Sequence, residues 1–342
     1  MACFAANWFV SEFWASKTGK IKTGEYIMNR LERIRAVLAG QVPDRVPASF
    51  WFHFPAEQAH GEAAVKAHLD YYRQVKPDFL KIMNEHPYQT KVQIRTPSDW
   101  RKLKPAPLSS EFFQAQLDEI KQITDALNGE CLTTTTIFNP FSSGNHASGR
   151  LVTQHLKEDP QSVNMGLAVI AESLAEFAVA CLDAGADGIY FSAQGGEADR
   201  FSEHVFLEFI KPHDLTVLNA IRSKGELNII HICRDNVRLH LYCNYPGHVF
   251  NWAVTAPSNL SLKSGKRLFT RPILGGLDNN GLIVKGKPEE IEHAVHEIIR
   301  SVGPANLIIG ADCTLPTDIN RENIRLAIEA TGTYPMPAQT SN

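Results

Sequence analysis

The sequence predicts an α/β protein built as a (β/α)8 TIM barrel with an N-terminal extension. Three observations predict the barrel. Eight short apolar or β-branched runs alternate with longer amphipathic stretches, which argues for a parallel sheet, and a count of eight favours its closure. The length of 342 residues fits, since such barrels run from about 250 residues upward. Apolar residues make up 44% and charged residues 21%, enough for a large core and unlike disordered, collagen-like or coiled-coil chains. An open doubly wound sheet is the competing architecture. No G-x-G-x-x-G follows the first run and no G-x-x-x-x-G-K-[ST] occurs, so a nucleotide-binding reading is weak.

Residues 1–27 stand apart. They are aromatic, lack a basic n-region and carry Glu12, so they make a poor signal peptide. They are read as an extension of unknown role, with 28–342 as a single barrel domain. The first two runs are 46–53 (VPASFWFH) and 79–84 (FLKIMN). KPAP at 104–107 is a connection. Run 131–138 (CLTTTTIF) follows, then 140–150 (PFSSGNHASGR), whose Gly and Ser content reads as a loop able to act as a mobile lid. A helix is predicted over 160–184, where Leu174, Phe177, Ala178, Cys181 and Leu182 share a face; Asp159-Pro160 opens it and Gly185 closes it. Runs 188–194 (GIYFSAQ), 227–233 (LNIIHIC), 249–254 (VFNWAV) and 272–278 (PILGGLD) come next. Ile291, Val295, Ile298, Ile299 and Val302 mark a helix over 288–302. Run 306–313 (NLIIGADC) is last, before a helix over 320–331 carrying Ile324, Ala327 and Ile328.

The formal net charge is −3, and no basic excess argues for nucleic acid as a partner. No apolar run approaches a membrane span. Six cysteines in a chain this long do not make a disulfide framework. The expected compartment is the cytosol.

Nearly every run ends on a polar or reactive residue: His53, Asn84 with Glu85, Asn139, Gln194, His231 with Cys233, Asn251, Asp278 and Cys313. In a barrel these ends meet on one face, which holds the active site. His53, Gln194, Asn251 and Asp278 are the candidate catalytic residues; Ser192 and Arg234 are candidate substrate contacts. Each has a plainer reading. Strands end where loops turn polar, Asp278 can cap a turn, and Arg234 can pair with Asp235.

His231-Ile232-Cys233 is the sharpest feature. Residues i and i+2 of a strand point to the same side, and Cys313 ends the eighth run at a matching level. Two thiolates and an imidazole form a soft ligand set suited to Zn²⁺, and three protein ligands leave a fourth position open, as in catalytic zinc sites. Alternatively, the cysteines are small buried hydrophobes and His231 is a hydrogen-bonded core histidine. A second metal site near His240 and His248 has no recognisable spacing.

The segments 188–196 (GIYFSAQGG), 229–236 (IIHICRDN), 274–278 (LGGLD) and 309–317 (IGADCTLPT), with the opening 32–53, resemble the uroporphyrinogen decarboxylase superfamily over roughly residues 28–333. H-x-C followed by Cys in G-x-D-C-T-L-P resembles its zinc-dependent thiol methyltransferases, which move a methyl group from a methylated corrinoid protein to coenzyme M. The resemblance implies a (β/α)8 barrel, with Zn²⁺ held by His231, Cys233 and Cys313. The implied partners are a small-molecule thiol and a corrinoid protein. No D-x-H-x-x-G motif occurs, so the chain is not expected to carry its own corrinoid. The implied reaction is attack by the thiol, activated as thiolate, on the methyl-corrinoid or another electrophilic carbon. Arg234 departs from the pattern, since the methyltransferases commonly carry a small residue there; a cation can bind an anionic end of the thiol. The alternative is decarboxylation of a tetrapyrrole or related acid. The decarboxylase proper matches less well: its R-Q-A-G-R-Y motif is replaced by RVPASFWFHF, with Arg45 alone nearby. Its aspartate corresponds at best to Asp78.

Overall fold

Seven of the eight runs form strands: β1 Phe79–Ile82, β2 Leu132–Phe138, β3 Gly188–Ala193, β4 Ile229–Ile232, β5 Val249–Trp252, β6 Ile273–Leu277 and β7 Leu307–Ala311. They pair in sequence order, each parallel to the next. This is a computed structural model, and it describes residues 27–336; the expected extension lies outside the described residues except for Ile27. Helices connect the strands, and nearly every strand residue is buried. That is why the strands read as continuous apolar runs rather than as an alternation.

The first run differs from its expectation. Residues 46–53 form no ladder strand, only isolated parallel bridges Ala48–Ile309 and Phe52–Leu315. The segment nevertheless touches both edge strands. Ser49 N donates to Ile309 O at 3.0 Å and Ile309 N to Pro47 O at 2.8 Å. On its other side Asp78 N, just before β1, donates to Ala48 O at 2.9 Å, and Ser49 Oγ donates to Phe79 O. Pro47 has no N–H to give to a ladder, so the pairing is sparse. The seven-stranded sheet is thereby curled into a TIM-barrel-like fold with 46–53 at the seam.

Two further expectations are corrected. The 140–150 stretch is largely helical, Pro140–Ala147. Asn139 caps it by accepting from Ser142 N at 3.0 Å, and Pro140 takes the first position, a start signal that outweighs the Gly and Ser content. Gly144 suits close packing: a Cβ there would stand 3.1 Å from the Trp100 ring. The helix Pro160–Asp183 is long and apolar enough to cross a membrane by length and composition, which the reading of apolar runs missed. Half of its apolar window is buried, and it packs against the helices Lys211–Ala220 and Pro140–Ala147.

Asp78 stands at the N-terminal end of the sheet and is fully buried. Arg33 Nη1 donates to its Oδ1 at 2.8 Å, Arg45 Nη1 to Oδ2 at 2.8 Å, and Arg45 Nη2 to Oδ1 at 2.9 Å. Ala48 N also donates to Oδ2, at 2.8 Å. Arg33 further pairs with Asp44, and Arg45 reaches Thr331 in the helix Arg321–Thr333 at 3.0 Å. Removing this carboxylate leaves Arg45 and the Ala48 amide without it and Arg33 with Asp44 as its remaining acid partner. Asp78→Ala is expected to cost about 3–5 kcal/mol of unfolding free energy, read from urea melts; a loss below about 1 kcal/mol would show that the cluster does not anchor the seam.

Candidate functional site

One row of the ladder runs Phe138–Ser192–His231–Asn251–Leu274 across β2 to β6. It sets Ser192, His231 and Asn251 at one level near the C-terminal ends of their strands. All three are buried, and the hydrogen bonds around Asn251 decide what His231 can do. Asn251 Nδ2 donates to Leu274 O at 3.0 Å and to Ala311 O at 3.1 Å. Two carbonyl acceptors fix which end of the amide is nitrogen. Asn251 Oδ1 is therefore an acceptor, taking the Tyr190 O–H at 3.0 Å and the His231 Nδ1–H at 2.6 Å. With its proton on Nδ1, His231 keeps the Nε2 lone pair free. Nε2 lies 3.6 Å from Cys313 Sγ, and the ligand atoms of His231, Cys233 and Cys313 all lie within 4.8 Å of one another. The Tyr190 ring stacks on His231, centroids 5.3 Å apart at 23°.

The two thiols divide their acidity. The hydrogen bond from Cys233 holds the Cys313 thiol well below its ordinary range against the upward push of burial. Cys233 is pushed well up, first by that hydrogen bond to Cys313 and then by burial. A donor set of two cysteine sulfurs and one imidazole with a free lone pair suits Zn²⁺.

The other expected residues are spread around the mouth. His53 is exposed and donates through Nδ1 to Glu85 Oε1 at 2.6 Å. Burial pushes the Glu85 carboxyl up, but the His53 bond and charge outweigh it and hold the group below its ordinary range. Both line a cavity of about 330 Å³ with Asn84, Tyr88, Phe138 and Ser142. Gln194 is half-buried, and its backbone carbonyl accepts from Asn139 Nδ2 at 2.9 Å. Asp278 is exposed and accepts from Asn280 N at 2.9 Å, which is the turn-capping arrangement. Arg234 is exposed. Its expected alternative partner, Asp235, instead accepts from Asn236 N at 2.6 Å and Ser258 N at 3.3 Å. Near the other suspected metal, His248 Nδ1 accepts from Asn228 N at 2.8 Å and His240 is exposed; the pair forms no ligand cluster among the described residues.

Lys81 was missed. It is buried to 3% exposure, with Nζ 4.4 Å from the Tyr190 ring centroid and 5.2 Å from that of Trp51. Burial lowers its pKa to about 7, while the charges of Cys313 and Glu85 pull upward. The signal was present: a lysine in the middle of the apolar run FLKIMN.

Residues 78–334, three quarters of the chain, match the family model described as Uroporphyrinogen decarboxylase (URO-D). No curated protein matches the sequence. Among solved structures, a methyltransferase from Methanosarcina mazei superimposes with a TM-score of 0.72 at 15% identity, covering 89% of this chain and 98% of that one. A B12-independent methionine synthase from Shewanella sp. W3-18-1, in complex with selenomethionine, gives 0.55 at 13% identity over 84% and 96%. A putative vitamin-B12-independent methionine synthase from Listeria monocytogenes gives 0.52 at 13% over 78% and 84%. These likenesses establish the shared fold.

The Lys81 shift has a consequence for stability. Its folded pKa, about 7, lies below the ordinary lysine value of 10.5, so between those values the unfolded chain binds more protons and stability at this site rises with pH. The unfolding free energy of the wild type relative to Lys81→Met should therefore grow from about pH 7 to about pH 9.5, as followed by urea melts. A difference that stays flat across that window would rule out the lowered pKa.

Proposed function

The chain belongs to the uroporphyrinogen decarboxylase family, and within it we propose that this protein is a zinc-dependent methyl or alkyl transferase. It activates a small thiol for attack on a methyl-corrinoid or another electrophilic carbon. The observation that carries this reading is the meeting of His231 Nε2, Cys233 and Cys313 within 4.8 Å, with Nε2 left free by Asn251. The methyltransferase fold neighbour supports the same reaction class. His231, Cys233 and Cys313 would hold the ion. When bound, zinc supplies an open position at which a thiol gives up its proton and is kept as a nucleophile.

The remaining work falls to the chain itself. Asn251 keeps His231 in the tautomer that presents Nε2 inward. Tyr190 covers one face of the imidazole. Lys81, with a pKa lowered to about 7, accepts the thiol proton between two aromatic faces that keep water away. Arg234, exposed and next to Cys233 in sequence, holds an anionic end of the thiol. The cavity between His53 and Ser142 admits the electrophile, brought by a partner such as a corrinoid protein.

The decarboxylase reading loses support. Asp78 and Arg45, its nearest counterparts, are bonded to each other at the opposite end of the sheet and leave no arginine cluster for a poly-acid.

The test uses protein stripped of metal and reloaded with Co²⁺ under reducing conditions. A sulfur-to-cobalt charge-transfer band is expected in the wild type and is expected to vanish in Cys313→Ser. Methyl transfer from methylcobalamin to a sulfonated thiol should vanish with it. Absence of the band, with turnover that survives chelators, would overturn the proposal. Asn251→Leu is expected to fold yet bind metal about 10–100-fold more weakly, measured by competition with a chromophoric chelator; unchanged affinity would remove Asn251 from its positioning role.

A further inference from the structure

We propose that His60, His86 and Glu119 form a second metal site, for a divalent transition ion of the Zn²⁺ class, that clamps the rim of the barrel. It shares no ligand with the His231 cluster. The three residues come from three elements: the residue before the helix Gly61–Val75, the loop after β1, and the helix Glu111–Leu127. Their ligand atoms nonetheless lie within 4.8 Å of one another. The His60 and His86 rings are 4.8 Å apart between centroids. Glu119 Oε1 accepts from His86 Nε2 at 3.0 Å and from Gly61 N at 2.6 Å.

Charge and chemistry both point to a cation. Glu119 is 3% exposed, and among the described residues its ion pair is with His86 alone. A buried carboxylate needs compensation, and an imidazole supplies it only when protonated. Two imidazoles and one glutamate are a familiar zinc-binding set. Tetrahedral ligands at about 2.0–2.2 Å from a common ion stand about 3.3–3.6 Å apart. His60 is exposed, and rotation of its ring would bring the present spacing to that value. The bound ion would tie the loop after β1 to the helix Gly61–Val75. That loop carries Asn84 and Glu85, which line the mouth cavity, while His86 itself lines a smaller cavity beside Tyr88 and Phe113. The ion would therefore hold one wall of the mouth in place.

The experiment is a Co²⁺ titration of the stripped full-length protein, with bound metal counted by mass spectrometry. Two equivalents are expected in the wild type. His60→Ala, a surface substitution, and Glu119→Gln should each lose one equivalent while keeping the sulfur-to-cobalt band. Cys313→Ser should lose the band and keep one equivalent, and that equivalent should raise its melting temperature but not that of Cys313→Ser/His60→Ala. A single equivalent without a sulfur band, lost in His60→Ala, would support this site and sink the thiolate one. An unchanged metal count in both His60→Ala and Glu119→Gln would overturn the clamp, as would a single equivalent lost in Cys313→Ser.

Discussion

The fold depends on one buried ion cluster. A sheet of seven parallel strands has two open edges, and the segment between them, 46–53, makes only isolated bridges. Asp78 makes up the deficit. Its two oxygens take Arg33, Arg45 and the Ala48 amide, so one carboxylate joins the first helix, the seam segment and the start of β1. Arg45 extends the tie to the last helix through Thr331. The cluster is favourable because both charges of each pair are hydrogen-bonded where they are buried; a lone charge there would be costly.

Placing this cluster at the N-terminal end of the sheet leaves the other end for chemistry. In parallel strands every C-terminal end opens on the same face. Polar side chains that enter the interior from that face must satisfy one another. Asn251 meets that demand with all its hydrogen-bonding capacity: two donations to carbonyls, two acceptances from Tyr190 and His231. Because nothing about the amide is left adjustable, neither is the tautomer of His231. The free Nε2 beside Cys313 follows from the need to satisfy a buried amide.

Much of this was legible in the sequence. The strand positions, the placement of His231, Cys233 and Cys313 at matching strand ends, and the long helix opening at Pro160 follow from periodicity, i and i+2 geometry and Asp-Pro capping. The rest was hidden for identifiable reasons. The first run looked like a strand because its composition suits one, but Pro47 cannot donate. The stretch after Asn139 looked like a loop because Gly and Ser were counted and the Asn-Pro start was not. Lys81 was absorbed into an apolar run, although a lysine on a buried strand is the kind of polar residue that signals an interior site. His60, His86 and Glu119 carry no spacing pattern at all; only the packing of two helices and a loop brings them together. Asn251 was expected near the chemistry, but its role as the group that fixes an imidazole depends on carbonyls of two other strands.

Arg234 shows how local backbone geometry bears on the site. Its φ is +88°, in the region where glycine is at ease and a side chain costs about 1–3 kcal/mol. The turn is held from outside, with Asn259 Nδ2 donating to Arg234 O at 3.0 Å and to Ala253 O at 3.0 Å. The neighbouring Asn236 also has a positive φ, +51°, so the chain turns sharply just after Cys233. A glycine would relieve the cost at once, and a small residue is what the thiol methyltransferases resembled by this sequence commonly carry there. The arginine contributes no ion pair to the fold among the described residues. What the strained position provides is a solvent-exposed guanidinium one residue after Cys233.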